Sequence, residues 1–359
     1  MTNNWTLKPL PDSKIIEDLK NSLGVSSVVA TLLAQRGITD FDDAKTFFRP
    51  QFSHLHDPFL MKDMEKAVQR LSTAISNNEK ILVYGDYDVD GTTAVSLMYL
   101  FLKNFSERIE HYIPDRYDEG YGVSYKGIDY AKDNGFSLII CLDCGIKAID
   151  KVAYAKEKGV DFIICDHHRP GDTLPDAVAV LDPKRNDCDY PFKELCGCGV
   201  GFKLAQAYYQ FHDYPFEDLI PLLDLVVVSI AADIVPMIGE NRVLSYFGLK
   251  ELNNNPRNGL KALMDVSNRK DTFTISDVVF GIAPRINAAG RIEHGNKAVE
   301  LLIQDDYSLA KEKADYIDQH NLTRKELDQS ITKEALEMIV PNAKSTVVSS
   351  EHWHKGVVG

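Results

Sequence analysis

From about residue 80, short apolar runs alternate along the chain with segments of helical spacing. The runs are apolar on both faces, which is typical of parallel strands covered by helices on each side of a sheet. They are Ile81–Tyr84, Ile109–Ile113, Leu138–Leu142, Phe162–Cys165 and Ala177–Leu181. The pattern predicts a doubly wound α/β domain with a mainly parallel sheet, in which ligands bind at the carboxyl ends of the strands.

Helical patterns precede and follow this predicted sheet. Residues 1–78 contain three segments of helical apolar spacing and predict a helical N-terminal region, while residues 79–305 hold the sheet domain. Residues 306–340 contain neither glycine nor proline and carry charges all round, which predicts a long helix that links two domains. The "STVVSS" run within residues 341–359 then predicts the first strand of a second α/β domain.

The composition indicates an ordinary globular protein. Of the 359 residues, 44% are hydrophobic and 26% charged, as expected for about two domains. The net charge of −13 argues against a broad phosphate-neutralising surface, although it does not locate a local basic groove. The sequence contains neither a secretory signal pattern nor an apolar run near the ~18 residues of a membrane span. We therefore expect a cytoplasmic protein with no membrane partner.

Three aspartates occupy alternate positions after the first apolar run. They are Asp86, Asp88 and Asp90 in "GDYDVDG". Three close carboxylates repel one another unless a cation compensates, so the spacing predicts metal binding. An EF-hand calcium loop would need a glutamate where Leu97 stands, and it would follow a helix rather than a strand. A helix cap would need only one of these acids.

Two further strand ends carry acids and histidines. Asp143 follows an apolar run in "LDCG", and Asp166, His167 and His168 follow another in "CDHH". Because the carboxyl ends of parallel strands share one edge of a sheet, these groups are expected to meet. Mixed carboxylate and imidazole ligands favour manganese or magnesium over zinc.

The cysteines offer an alternative metal site. Cys141, Cys144, Cys196 and Cys198 provide four thiols for zinc, but "CGC" lacks the usual spacing of two residues between thiolate ligands. In a chain without an export signal, reduced thiols are the ordinary state. We therefore favour reduced cysteines over a zinc site.

One more acid is expected from a strongly apolar segment at residues 216–235, which predicts a single buried helix. Asp233 lies at its end, and a carboxylate beside the carbonyl end of a helix dipole is unfavourable without a cation. Asp224 on the same segment is the alternative ligand. We prefer Asp233 and leave Asp224 open.

Four basic residues are candidates for contact with phosphate: Arg116, Lys203, Arg285 and Arg291. The two last belong to "PRINAAGR", a short, doubly basic segment that is predicted to be turn-rich. From its residues alone, a solvated loop without function is an equally good interpretation of that segment.

The motifs "GDYDVDG", "LDCG", "CDHH", "AADIVP", "PRINAAGR" and "HWHKGVVG", taken in this order, resemble those of the DHH phosphoesterases. Their overall order is similar to that of the RecJ single-strand exonucleases. The resemblance implies a two-metal site with manganese or magnesium. It also implies hydrolysis of single-stranded DNA from its 5′ end to 5′-mononucleotides, in DNA repair and recombination.

The resemblance also implies roles for individual residues. The implied metal ligands are Asp88, Asp90, Asp143 as a bridge, His167 and Asp233, with Asp86 as a weaker ligand. The implied catalytic group is His168, Asp166 and Asp143. The implied substrate contacts are Arg116 at the terminal 5′ phosphate, His168 at the reacting phosphate, and Arg285, Asn287 and Arg291 along the DNA path. Single-stranded DNA is the implied partner, with a single-strand-binding protein and a helicase as further candidates.

Beyond "HWHKGVVG" the RecJ pattern continues into the rest of a DHH-associated domain and an oligonucleotide-binding module. The chain is therefore expected to be an N-terminal fragment that binds metal but cleaves DNA weakly. Two alternatives stay open. One is a DHH phosphoesterase for short oligonucleotides, cyclic dinucleotides or other small phosphoesters, and the other is a scaffold that retains the fold without catalysis.

Overall fold

The structure is a computed structural model of the 359-residue chain. It describes residues 5–267, 269, 271–292, 294–340 and 343–358. The side chain of Arg291, one of the predicted DNA contacts, lies outside the described residues.

A five-stranded parallel sheet forms the centre of the fold. Its strand order is β2-β1-β3-β4-β5, so the chain winds outward from β1 in both directions. The strands are β1 Lys80–Gly85, β2 Ile109–Tyr112, β3 Phe136–Leu142, β4 Asp161–Cys165 and β5 Ala179–Leu181. The predicted doubly wound α/β fold is confirmed, because all pairs are parallel and the order reverses at β1.

Helices surround the sheet and extend the chain on either side of it. They are α1 Ser13–Leu23, α2 Ser27–Ala34, α3 Phe41–Phe48, α4 Met64–Ser76, α5 Val89–Leu102, α6 Tyr125–Asp133, α7 Ile149–Glu157, α8 Gly197–Phe211, α9 Leu223–Asp233, α10 Gly239–Asn254, α11 Asn258–Val266, α12 Ile275–Asp277, α13 Ala283–Ile292, α14 Asn296–Leu302 and α15 Tyr307–Glu337. Within the described part of the chain, no helix has both the length and the apolar character needed to cross a membrane.

The apolar runs are buried on both faces because each sheet face packs against helices. In β1, Ile81 and Val83 join the core formed with α5, α8 and α9, whereas Leu82 and Tyr84 join the core formed with α6 and α7. Successive side chains of a strand point to opposite faces, so both sets must be apolar. A small separate core under α1, α2 and α3 holds the N-terminal helices together.

Three local predictions are wrong. The segment 216–235 is not one helix: a 3₁₀ turn containing Pro221 precedes α9, because proline lacks the N–H that a continuous helix needs. "PRINAAGR" is the helix α13 rather than a turn-rich loop, and Pro284 lies just after a π-helical turn at Val278–Ile282, where the regular helix hydrogen-bond pattern changes. "STVVSS" forms no strand among the described residues, and none of the five sheet strands pairs with it.

The long charged helix α15 packs along part of its length instead of only linking domains. Its residues Ala310, Ala314 and Ile317 are buried at helical spacing, against α11 and α13. Its later turns are largely exposed. The helix therefore belongs to the core of the sheet domain at its start, and the predicted domain limits remain predictions.

Candidate metal centre

The loop between β1 and α5 presents the first acids. β1 ends at Gly85, and Asp88 caps α5 by accepting a hydrogen bond from the Gly91 N–H at 3.0 Å. A Cβ at Gly91 would collide with the backbone of Asp86, so only glycine permits this tight turn. Capping alone therefore explains Asp88 but not its acidic neighbours.

Asp90 lies in the first turn of α5 and is held by another helix. Its Oδ2 accepts a hydrogen bond from Gly197 N–H at 2.6 Å, and its Oδ1 accepts one from Cys198 N–H at 2.7 Å. Ser229 on α9 donates from Oγ to the same Oδ1 at 2.6 Å. The start of α8 thus fixes a carboxylate, as helix N-termini favour anions. Sequence reasoning missed Gly197 and Ser229, since neither stands in a pattern of ligands.

Asp143 directly follows β3 and adopts a left-handed backbone conformation with φ at 58°. This is uncommon for a residue other than glycine and typical of functional sites. Its N–H donates to the Cys165 carbonyl at 2.9 Å, which fixes the turn against the end of β4. A Cβ at Gly197 would lie 2.5 Å from the Asp143 Cβ, so the glycine in α8 makes room for this carboxylate.

Asp166 supports the histidines rather than facing the other acids. Its Oδ1 accepts hydrogen bonds from the backbone N–H of His167 and of His168 and lies 2.8 Å from His168 Nδ1, while its Oδ2 accepts one from Ile146 N–H. The bond to Asp166 raises the pKa of His168, against an opposing effect of burial. It also directs His168 Nε2 away from Asp166, to 3.3 Å from the Tyr121 hydroxyl.

His167 is the centre of a second group of acids. Its Nε2 lies 3.1 Å from Asp143 Oδ1, 3.6 Å from Asp90 Oδ2 and 3.7 Å from Asp233 Oδ2. Asp233 reaches this point because α9 ends there, with Ile234 in a left-handed conformation.

Asp224 lies outside the cluster. It is buried one residue into α9, where both of its oxygens pair with the guanidinium of Arg257. This ion pair satisfies the charge of Asp224 without a metal. The structure therefore brings Asp233, and not Asp224, to the other predicted ligands.

The acids and histidines form overlapping groups whose ligand atoms lie within 4.8 Å of one another. One group is Asp86, Asp88 and Asp143, a second is Asp90, His167 and Asp233, and a third is Asp143, His167 and His168. Asp143 belongs to two of these groups and touches His167 of the remaining one. Asp86 belongs to the same group as Asp88, and its place as the weaker ligand stays a prediction.

Three carboxylates of this cluster, Asp86, Asp143 and Asp233, are only partly compensated by their neighbours. Burial and then the neighbouring Asp88 raise the pKa of Asp86 to about 7, and burial and then Asp90 raise the pKa of Asp233 to about 6. The pKa of the buried Asp143 is also raised well above its usual range by burial and then by Asp90. Buried oxygens Oδ1 of Asp86 and of Asp143 make no hydrogen bond. Divalent cations would satisfy both the charges and these oxygens, so the residues fit a centre for hard metals.

The cysteines do not form the alternative zinc site. Cys141 and Cys144 are buried with their sulfurs 3.3 Å apart, while the Cys196 sulfur caps α8 by accepting a hydrogen bond from Gly199 N–H and lies 2.9 Å from Ser229 Oγ. Among the described residues, none of the groups able to hold a metal contains a cysteine. All six thiols are free, which agrees with the expectation of reduced cysteines.

A cavity of about 240 Å³ adjoins the acids and contains two of the predicted substrate contacts. Arg116 and Asn287 line it together with Asp86, Asp88 and the aromatic residues Tyr87 and Tyr121. The two tyrosines had no recognisable signal in the sequence.

Two of the basic candidates do not reach this cavity. Arg285 pairs with Asp318 of α15 at 2.8 Å and donates to the Gly281 carbonyl, so its guanidinium secures α13 to its neighbours. Lys203 is fully buried, and its Nζ lies 3.0 Å from Glu240. Both cations therefore have structural partners in place of phosphate.

The fold and the site together define an α/β protein with a candidate carboxylate and histidine metal centre at the carboxyl edge of a parallel sheet. The model of the DHH family, N-terminal domain, matches residues 80–230. The chain is 42% identical over 353 residues to the single-stranded-DNA-specific exonuclease RecJ of Bacillus subtilis, covering 97% of this chain and 44% of that protein. For the RecJ of Escherichia coli the identity is 36%, over 83% of this chain and 55% of the relative.

Solved structures agree with these similarities. Exonuclease RecJ bound to manganese matches with a TM-score of 0.78 and 31% identity, over 86% of this chain and 77% of that one. RecJ in complex with Mn²⁺ from Thermus thermophilus matches with a TM-score of 0.84 and 27% identity, over 98% of this chain and 50% of that one. The chain belongs to the DHH family and, within it, to the RecJ-type group. It spans about half the length of the curated relatives it matches.

Proposed function

We propose that this chain carries the catalytic site of a two-metal exonuclease that hydrolyses single-stranded DNA from the 5′ end and releases 5′-mononucleotides. The observation that carries the proposal is the pair of acidic groups that meet at Asp143, beside a cavity that contains Arg116. The RecJ relatives are named as single-stranded-DNA-specific exonucleases, and this supports the choice of substrate. We propose DNA repair and recombination as its role.

The two groups would hold two Mn²⁺ or Mg²⁺ ions. Asp86, Asp88 and Asp143 would hold one ion, while His167, with Asp90 and Asp233, would hold the other. Two cations a few ångströms apart lower the pKa of a shared water and stabilise the attacking and leaving oxygens of a phosphodiester. The manganese and magnesium complexes of RecJ structures support this choice of ion.

His168 is placed to act on the reacting phosphate. Asp166 binds its Nδ1 and raises its pKa, which favours the imidazolium form, with Nε2 exposed as a donor. A cation at this point can neutralise a phosphate oxygen and give a proton to the leaving oxygen. Asp166 is then a residue that orients His168 and holds its charge, and it need not touch the substrate.

Arg116 provides the recognition of a chain end. Its half-buried guanidinium lines the cavity next to the acids, where a terminal phosphate would pair with a fixed planar cation. Asn287 of α13 adds an amide on the same cavity. An enzyme with these contacts cuts at a fixed distance from the 5′ end, which is the property of an exonuclease.

One alternative substrate class is favoured by a specific observation. The chain has a net charge of −13, and the cavity of about 240 Å³ suits a phosphate or a small phosphoester better than a long strand. A phosphoesterase of the same family that acts on short oligonucleotides or cyclic dinucleotides would use the same acids. Comparing cleavage rates of dinucleotides and long single strands separates the two functions.

We further propose that the protein acts in the cytoplasm, with single-stranded DNA as its principal partner. A single-strand-binding protein and a helicase are proposed as protein partners that expose the strand. The names of the RecJ relatives support single-stranded DNA as the partner. Pull-down of each purified partner with the chain, with and without a single strand, tests them.

The central experiment follows the release of mononucleotides from a 5′-labelled single strand in the presence of Mn²⁺. We expect weak, manganese-dependent release by the wild-type chain and none by Asp143→Ala or His167→Ala. Asp224→Asn, outside the cluster, is the matched acidic control and should retain activity in the folded protein. Full activity of both cluster variants would refute the site, and release only from the 3′ end would refute the proposed polarity.

A further inference from the structure

The ring of Tyr87 lies beneath the guanidinium of Arg116. The Arg116 Cζ is 4.9 Å from the ring centroid, within the range of a cation–π interaction. Tyr87 stands between Asp86 and Asp88, so one loop presents both the acids and this ring. We propose that Tyr87 is a positioning residue that holds Arg116 for the phosphate at the 5′ end. This inference rests on the proposed function and adds to it the residue that sets selection for a 5′-phosphorylated end.

The backbone of Tyr87 is held in place because α13 packs directly against it. A Cβ at Gly290 would collide with the carbonyl oxygen of Tyr87, so the helix and the loop are in contact with no space between them. A Cβ at Gly295 would lie 3.2 Å from the Tyr87 Cβ. The ring of Tyr121 packs edge-to-face against that of Tyr87, with 6.4 Å between the ring centroids. The Tyr87 ring is therefore a rigid platform.

Arg116 needs such a platform. Among the residues that the structure describes, no carboxylate forms an ion pair with its guanidinium, in contrast to Arg285 with Asp318. A free arginine side chain loses much rotamer freedom when it binds an anion. Stacking on Tyr87 fixes the guanidinium before the substrate arrives and so reduces that loss on binding.

The test compares single strands with a 5′-phosphate and with a 5′-hydroxyl end. Binding is measured by fluorescence anisotropy with 3′-labelled phosphorothioate strands. Mn²⁺-dependent hydrolysis is measured separately with ordinary phosphodiester strands. Tyr87→Leu should reduce the preference for the phosphorylated end about fivefold or more, and Tyr87→Phe should keep it, because the ring carries the interaction. Binding of the 5′-hydroxyl strand should fall less than binding of the 5′-phosphorylated strand in Tyr87→Leu, and calorimetry with Mn²⁺ shows whether the metal centre is kept.

A matched control is Tyr246→Leu, which removes a ring 4.1 Å from the Lys250 ammonium on α10 and should not affect the preference. An unchanged preference in Tyr87→Leu, or an equal loss in Tyr87→Phe, would overturn the inference. Equal binding of the 5′-phosphorylated and 5′-hydroxyl strands by the wild-type chain would also overturn the inference. If that chain still cleaves in the presence of manganese, the proposed function stands. If the wild type prefers the phosphorylated end, loses that preference in Tyr87→Leu and never cleaves, the inference is upheld and the proposed function fails.

Discussion

Replacing Asp143 by asparagine should stabilise the metal-free protein and remove most of the stabilisation by manganese. Asp143 is 2% exposed, and its Oδ1 lacks a hydrogen-bond partner. Burial and then the nearby carboxylates Asp90 and Asp88 raise its pKa, so its negative charge opposes folding when no cation is bound. Asparagine keeps the shape of the side chain and tolerates the left-handed φ of 58° at this position.

The magnitude follows from the uncompensated buried group. A buried group without a partner costs about 1–3 kcal/mol in proteins and more when it is charged. Asparagine keeps the polar oxygen but removes the charge, so the variant should gain about 1–3 kcal/mol in free energy of unfolding in EDTA. A gain of 1 kcal/mol raises the melting temperature by about 2–4 °C. Manganese at 100 times its Kd adds about 2.7 kcal/mol to the wild type. The variant should lose most of this gain, because Asp143 belongs to one ion-holding group and lies 3.1 Å from His167 of the other.

The assay is thermal unfolding in EDTA and across a manganese titration. Asp224→Asn is the control, because it weakens a buried ion pair with Arg257 outside the cluster and should lower stability equally with and without manganese. A lower melting temperature of Asp143→Asn in EDTA would refute the argument from uncompensated charge. A manganese-induced shift as large as that of the wild type would refute the place of Asp143 in the metal centre.

Three further outcomes are expected. Gly290→Ala should lower the free energy of unfolding by about 1–3 kcal/mol and weaken manganese binding, because the new Cβ would push against the Tyr87 carbonyl. Denaturant unfolding measures the stability and calorimetry the manganese affinity, and unchanged values would contradict this contact. Ser229→Ala removes the hydroxyl that donates to Asp90 and should weaken manganese binding, measured by calorimetry, about tenfold. An unaltered affinity would show that this hydrogen bond does not orient Asp90 for the metal. Burial, and next the charge of Asp88, raises the pKa of Asp86 to about 7, and a bound ion must displace that proton, so manganese affinity should rise from pH 6 to pH 8. The same raised pKa should make the stability of the metal-free protein fall from about pH 4 towards pH 7. Slopes of the opposite sign would contradict the assignment.

The sheet and the three strand ends that carry the candidate site could be predicted from the sequence for one physical reason. Strands buried on both faces give continuous apolar runs, and the residue after each run lies at the carboxyl edge of a parallel sheet. Asp86 after β1, Asp143 after β3 and His167 after β4 are therefore neighbours in space, although they are far apart in the chain.

Patterns in the sequence could not determine the partners of single charged residues. Arg285 looked like a phosphate contact, but its guanidinium pairs with Asp318, thirty-three positions later, on a helix that was expected only to link domains. The split of the segment 216–235 at Pro221 was visible in principle, because proline removes a helix hydrogen bond, yet the strong apolar pattern concealed it.

The sequence by itself determined the fold class and the acids at the strand ends, because local periodicity and parallel winding together fix which residues reach one edge. Only the tertiary structure decided which helix completes the site. Asp233, and not Asp224, joins His167 because α9 ends at that point, while Arg257 takes Asp224. The start of α8 holds Asp90 and leaves space for Asp143 at Gly197. These contacts join residues more than thirty positions apart, and their geometry depends on packing that no local pattern contains.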